Sequence, residues 1–255
     1  MTNREGGGLE TAQAWTERSD GTLRSPLLES LGLVAGFTTR GRGSMAGSVF
    51  PRDEQDGNRE TLARHLGFDA VVRLKQVHGD VVVRVDGPHN PWPEADAMWT
   101  DRGGVLLGIA AADCVPVFVA DRSSRRIGAA HAGWAGTMQR VTAALLGAML
   151  KDGADPTSLV AAIGPSIGPC CYTIDDARAR LLRERGFGDH LRERDGKVVF
   201  DLWSANAASL RAEGVREIEI AGICTKSGGQ DLWSYRARGA DGRYGTQLAF
   251  LGRSA

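Results

Sequence analysis

The stretch GVLLGIAAADCVPVFVAD (104–121) decides how the chain is read. It is apolar almost throughout and far longer than the roughly 5–6 residues of an ordinary strand. Pro116 has no N–H to give to a sheet ladder. The run should therefore break near Asp113-Cys114-Val115-Pro116, leaving two buried strands with a carboxylate and a thiol at their junction.

Outward from this run the pattern alternates between strand and helix. RRIGAAHAGW (125–134) reads as a strand entering a glycine turn, and TMQRVTAALLGAMLKDG (137–153) carries apolar residues at helical spacing and ends on Gly153. AVVRLKQVHGDVVVRV (70–85) reads as two β-branched strands with His78 at the turn between them. GLVAGFTTR (32–40), SLVAAIG (158–164), KVVF (197–200) and REIEIAGICT (216–225) add strands. NRETLARHLG (58–67), DDARARLLRERG (175–186) and the segment closing at Gly214 add helices. The sequence shows neither repeats nor linkers. The expectation is a mixed α/β (α+β) fold, one domain over residues 26–255 with a mixed sheet flanked by helices. Residues 1 to about 25, polar and glycine-rich, read as a disordered or weakly docked tail.

The 255 residues carry 31 Lys+Arg and 31 Asp+Glu, so no basic field points to nucleic acid. MTNREGGGLE has no apolar core of the signal-peptide kind, and no apolar run approaches the ~20 residues of a membrane span. A cytoplasmic protein is expected, in which Cys114, Cys170, Cys171 and Cys224 are thiols or metal ligands rather than a disulfide framework.

Only five histidines are present, so any metal site draws on a short list. Cys114, His131 and His78 each lie at or near a strand end in apolar or small-residue surroundings. Imidazole nitrogen and thiolate sulfur are donors that zinc prefers, and three protein ligands with one open position is the catalytic arrangement. A cysteine in an apolar strand is usually there for packing, and the spacing matches no zinc finger. The same residues also allow Cys114 as nucleophile with His131 as base. Asp113 is a candidate to orient a histidine or act on substrate, or a turn-forming residue. Arg40, beside the Gly41/Gly43 loop, and Arg236 are candidate anion contacts or solvated surface charges.

Seven blocks, FTTR (37–40), LKQVHGD (74–80), ADAMWT (95–100), AADCVPVFVAD (111–121), AAHAGWAGT (129–137), IGPSIGPCCYTID (163–175) and CTKSGGQDLWSYRARG (224–239), together resemble the laccase-domain family, also called multicopper polyphenol oxidases. Members of this family are described as zinc-dependent purine nucleoside phosphorylases. The resemblance implies a single α/β domain with metal ligands at His78, Cys114 and His131. It also implies phosphorolysis of adenosine, inosine and S-methyl-5'-thioadenosine, and adenosine deamination. Purine nucleosides and phosphate are then the partners, with Zn2+ as cofactor. Cu2+ is compatible with the same site because it outranks Zn2+ in intrinsic affinity. A blue multicopper oxidase would need more imidazoles than this chain contains.

Where the family commonly has HAGWRG, this chain has Ala135 in place of the arginine. The loop after FTTR is shorter than the family's, and DLWSYRA stands where FFSYRR is usual. A likeness of the family fold to bacterial toxin deamidases keeps a second expectation open, a Cys114/His131 amidase or deamidase, conceivably editing cell-wall precursors. A third is a non-enzymatic zinc-stabilised interaction module, which would require a fourth ligand such as Cys224.

Overall fold

Alternate residues of the central strands are apolar on both faces, and the computed structural model, which describes residues 15–255, shows what covers each face. Among the described residues the long strands divide between two six-stranded sheets. The first runs β1 (Thr16–Arg18), β2 (Thr22–Arg24), β3 (Val34–Thr38), β15 (Gln247–Arg253), β7 (Val105–Ala111), β4 (Val71–Val72). The second runs β14 (Glu217–Ile220), β10 (Leu159–Ile163), β8 (Val115–Asp121), β9 (Ile127–Ala132), β6 (Ala97–Thr100), β5 (Val82–Arg84). Both are mixed: β4 joins β7 in parallel, as β14 joins β10 and β5 joins β6, while the remaining pairings are antiparallel. A small antiparallel sheet of β11 (Thr173–Ile174), β13 (Lys197–Phe200) and β12 (Leu191–Arg194) lies apart from them.

The two large sheets pack face to face. Leu107, Ile109, Ala249 and Phe37 of the first share a buried cluster with Phe118, Ala120, Ile127 and Ala129 of the second. On the far side of the second sheet, Val117, Val119 and Ala130 pack with residues of α4 (Val141–Lys151), α5 (Asp176–Glu184) and α6 (Leu202–Ala212). On the far side of the first, Leu106, Leu248 and Phe250 pack under α2 (Arg52–His65). A strand buried on both faces has no solvent side to alternate with, which is why 104–121 reads as an unbroken apolar run. The mixed α/β single domain expected from the sequence thus forms as four layers, helix–sheet–sheet–helix.

The run breaks where Pro116 places it, and its two halves belong to different sheets: β7 to the first and β8 to the second. Asp113 and Cys114 therefore sit where the chain crosses between layers. The helix expected over 137–153 is two helices, α3 (Trp134–Met138) and α4, because Arg140 takes a left-handed conformation (φ 62) between them.

The N-terminal segment departs from expectation. Residues 1–14 lie outside the described residues, but Trp15 is buried and β1 and β2 extend the first sheet, leading into α1 (Pro26–Ser30). The anchor is Glu219 in β14, 3% exposed. Its carboxylate accepts from Trp15 Nε1 (2.7 Å), Ser25 Oγ (2.5 Å) and the Leu27 amide (3.0 Å). A glutamate and a tryptophan two hundred residues apart carry no local signal, so the docking is invisible to a pattern read along the chain. Glu219→Ala leaves two buried donors and one part-buried amide without their acceptor and is expected to lower stability by about 1.5–3 kcal/mol, a charged hydrogen bond's range. Urea denaturation checks this, and a loss below about 0.5 kcal/mol would mean that the segment adds little to the fold.

Candidate metal centre and substrate cavity

The turn between β4 and β5 carries His78, the crossing between β7 and β8 carries Cys114, and β9 carries His131. The donor atoms of these three residues lie within 4.8 Å of one another. Cys114 Sγ is 4.0 Å from His78 Nε2, and the two imidazoles meet edge to face at 4.8 Å between centroids. His131 is buried, Cys114 half-buried and His78 exposed, so the cluster opens to solvent on one side. A methyl group at Gly133 would stand 2.9 Å from Cys114 Sγ and 3.2 Å from the His78 ring, so the turn after β9 needs a residue without a side chain.

What fixes this geometry is Asp96, fully buried just before β6. Its Oδ1 meets His131 Nδ1 at 2.9 Å and accepts from the His78 amide at 3.0 Å. Its Oδ2 accepts from the amides of Val77 (3.1 Å) and Gly79 (2.7 Å). One carboxylate thus holds a buried imidazole and three consecutive amides of the His78 turn, where His78 itself has φ 63. Gln76 ties the same turn to β7 through a pair of 2.9 Å hydrogen bonds with Ala110. With Nδ1 taken by Asp96, His131 directs Nε2 toward the cluster, the carboxylate–histidine arrangement typical of metal sites.

Burial works against charge here, but the partners outweigh it. Burial would raise Asp96, yet the hydrogen bonds from His131 and the amides of Gly79 and Val77 hold it below the ordinary carboxylate range. Burial would also raise the Cys114 thiol, yet the two histidines bring it down to about 6. Burial would lower His131, yet Cys114 and Asp96 push it up to about 9. Thiolate and imidazole donors held in this way fit zinc, and equally the copper that the same donors accept. A fourth protein ligand is absent among the described residues: Cys224 belongs to a separate group with Cys170 and Cys171.

The cluster forms part of the wall of a cavity of about 830 Å³. Aromatic residues Trp92, Trp134, Tyr172, Tyr235 and Tyr244 line it, with four arginines among them. Each arginine lies over a ring: Arg73 over Trp92 (4.2 Å), Arg178 over Trp134 (4.5 Å), Arg236 over Tyr172 (4.8 Å) and Arg238 over Tyr235 (3.9 Å). Arg73 is 9% exposed and has no carboxylate within 4 Å among the described residues; burial, with the nearby charge of Arg59, lowers it to about 9. Arg178 keeps a buried Nε without a partner among the described residues.

Of the residues singled out in the sequence, Arg236 lines this cavity and Arg40 does not. Arg40 stacks on Trp233 at 4.0 Å and pairs with Asp231 at 3.4 Å, an exposed arrangement that points it away from the cavity's lining residues. Asp113 lines the cavity, in a left-handed conformation (φ 88), but Asp96 takes the place beside His131. The oxygens of Asp113 accept from Thr225 Oγ1 (2.7 Å) and the Arg236 amide (2.7 Å), which fixes the Arg236 loop against the crossing. Ala135 sits in α3 and does not line the cavity. Asp96, Arg73, Arg178 and Arg238 were not singled out from the sequence, although Asp96 falls within the ADAMWT block and Arg238 within CTKSGGQDLWSYRARG.

Comparison with known proteins agrees with this architecture. The profile of the family described as multi-copper polyphenol oxidoreductase laccase matches residues 51–254. A relative from Deinococcus radiodurans named "Purine nucleoside phosphorylase" is 39% identical over 242 residues, 90% of this chain and 92% of the relative. "Purine nucleoside phosphorylase YlmD" of Geobacillus stearothermophilus is 33% identical over 266 residues, 93% of this chain and 96% of its own. The crystal structure of YlmD from that organism superposes with a TM-score of 0.81 at 30% identity, covering 94% of this chain and 99% of that one. A Bacillus licheniformis hypothetical protein, YfiH, superposes with a TM-score of 0.82 at 25% identity over the same shares. Matched along most of its length and aligned nearly end to end with relatives above 30% identity, the chain belongs to the multi-copper polyphenol oxidoreductase laccase family.

Proposed function

We propose that the protein is a metal-dependent purine nucleoside phosphorylase that cleaves adenosine, inosine and S-methyl-5'-thioadenosine, with adenosine deamination as a side reaction. The activity named for its relatives supports this. The observation that carries it is a cavity with four arginines stacked on aromatic rings and a single carboxylate, Asp113, among its described lining residues. A purine offers a flat face that aromatic side chains stack against. Phosphate is an anion for which guanidinium groups supply directed, charge-assisted hydrogen bonds. An aromatic wall with a cationic surplus meets both needs at once.

His78, Cys114 and His131 would hold the metal, Zn2+ or Cu2+, with Asp96 orienting His131. When bound, the ion supplies a Lewis acid on the cavity wall. The chain's own residues do the remaining work. Arg178, with its unpartnered Nε, and the buried Arg73 are the groups best placed to bind phosphate and stabilise charge as the ribosyl carbon becomes cationic. A phosphate oxygen then forms the bond to the anomeric carbon, the bond to the purine nitrogen breaks with its electron pair going to the base, and the base takes up the proton that hydrogen phosphate gives up, leaving the sugar 1-phosphate. For deamination Asp113 is the carboxylate that the described cavity lining offers, and a proton taken up there would displace one of the two donors its oxygens now accept from, Thr225 Oγ1 or the Arg236 amide.

The order Asp96–His131–Cys114 is also that of a cysteine hydrolase, and it favours a Cys114/His131 amidase as the second reading. The interaction-module reading has less support, because structural zinc is normally closed by four protein ligands.

The deciding experiment follows product formation from adenosine and inosine with and without phosphate. Free base and ribose 1-phosphate are expected only when phosphate is present. Equal base release in phosphate-free buffer makes the protein a nucleoside hydrolase, and no cleavage under either condition leaves the amidase reading. Arg178→Ala is expected to raise the apparent KM for phosphate more than that for nucleoside. The loss in kcat/KM for phosphate should be about 1.5–3 kcal/mol, roughly tenfold to a hundredfold. Arg40→Ala, with its charge held at Asp231 and Trp233, is expected to leave both constants unchanged.

A further inference from the structure

Three of the four cysteines take no part in the centre described above, and the fold gathers all three in one place. Cys170 and Cys171 lie in the loop between β10 and β11, and Cys224 follows β14. A short bridge between Ser166 and Cys224 brings the two segments together. Their sulfurs lie within 4.8 Å of one another, and all three are free thiols. We infer that Cys170, Cys171 and Cys224 form a second metal site, a three-thiolate site for Cu+.

The surroundings are built around sulfur. Cys224 is 5% exposed and forms the floor, Cys171 is half-buried and Cys170 faces solvent, so an ion has a way in. The Gly168 amide donates to Cys224 Sγ at 3.3 Å, and the Ser227 hydroxyl lies 3.3 Å from Cys170 Sγ and 3.2 Å from Cys171 Sγ. A methyl group at Gly168 would meet Trp203 at 2.7 Å and Cys170 Sγ at 3.2 Å; one at Gly228 would meet the Cys224 carbonyl at 2.5 Å. Both loops therefore close on the sulfurs at a distance that side chains would prevent.

The choice of ion follows from the donor set. Metal–thiolate bonds of about 2.3 Å place the sulfurs of a trigonal site on the order of 4 Å apart, within reach of the present spacing. No histidine or carboxylate joins the group among the described residues. Zn2+ would lack a fourth protein ligand, whereas soft thiolates select Cu+, which is stable with three. The first centre, with two imidazoles, offers a different donor set. The two are linked through Thr225, adjacent to Cys224, whose hydroxyl donates to Asp113 beside Cys114.

The test uses full-length Cys114→Ser protein, so that the first centre contributes no thiolate, titrated anaerobically with Cu+ against bicinchoninate. About one Cu+ per chain is expected to transfer to the protein, with X-ray absorption showing a first shell of sulfur alone. Adding Cys170→Ser, at an exposed position that should not disturb folding, is expected to weaken retention at least tenfold. The inference is overturned if bicinchoninate keeps all the copper, if the double variant holds Cu+ as tightly, or if Zn2+ displaces Cu+ at equal concentration.

Discussion

The site depends on one buried carboxylate. Asp96 accepts from three consecutive amides of the His78 turn and from His131 Nδ1. An anion sealed from water is costly unless its lone pairs are satisfied, and here four donors satisfy them. The same bonds hold His78 in a left-handed conformation that a residue with a side chain rarely adopts. They also commit Nδ1 of His131, so that only Nε2 remains for a metal. Without Asp96, the His78 turn would lose three hydrogen bonds and His131 its fixed orientation.

The four-layer fold explains why the donors meet where they do. β7 and β8 belong to different sheets, and the residues at their junction sit at the rim of the sandwich rather than in its core. Cys114 is delivered by that crossing, His131 by the neighbouring β9 and His78 by a turn pinned to both layers through Gln76 and Asp96. Packing on both faces of the strands supplies the rigidity that a preorganised site requires. Asp113 spends its carboxylate on Thr225 and on the Arg236 amide, which joins the crossing to the arginine-bearing loop of the cavity.

Much of this is legible in the sequence, for definite reasons. Pro116 marks the sheet crossing because its missing N–H is a local property. His78, Cys114 and His131 stand out as polar donors among small and apolar neighbours, and the structure brings them together. What escapes the sequence depends on distance in three dimensions. Asp96 reads as an ordinary residue ahead of an apolar strand, since its partners lie 17 to 35 positions away. Arg40 has the composition of an anion loop, but Trp233 and Asp231, remote in sequence, claim it. Arg73, Arg178 and Arg238 look like surface charges until the rings beneath them are placed.

Asp96 holds the His78 turn and His131 through hydrogen bonding rather than bulk, and the proposed metal centre depends on it. Asp96→Asn preserves shape while putting an amide N–H₂ where an acceptor is needed. The direct measurement is the zinc affinity of this variant against the unmodified protein, by competition with a chromophoric chelator, with circular dichroism to show that the fold is kept. The account predicts a folded protein whose affinity falls by about 10–100-fold, the usual effect of removing a carboxylate that orients a ligating histidine. A folded Asp96→Asn protein that binds zinc as tightly as the original would contradict it.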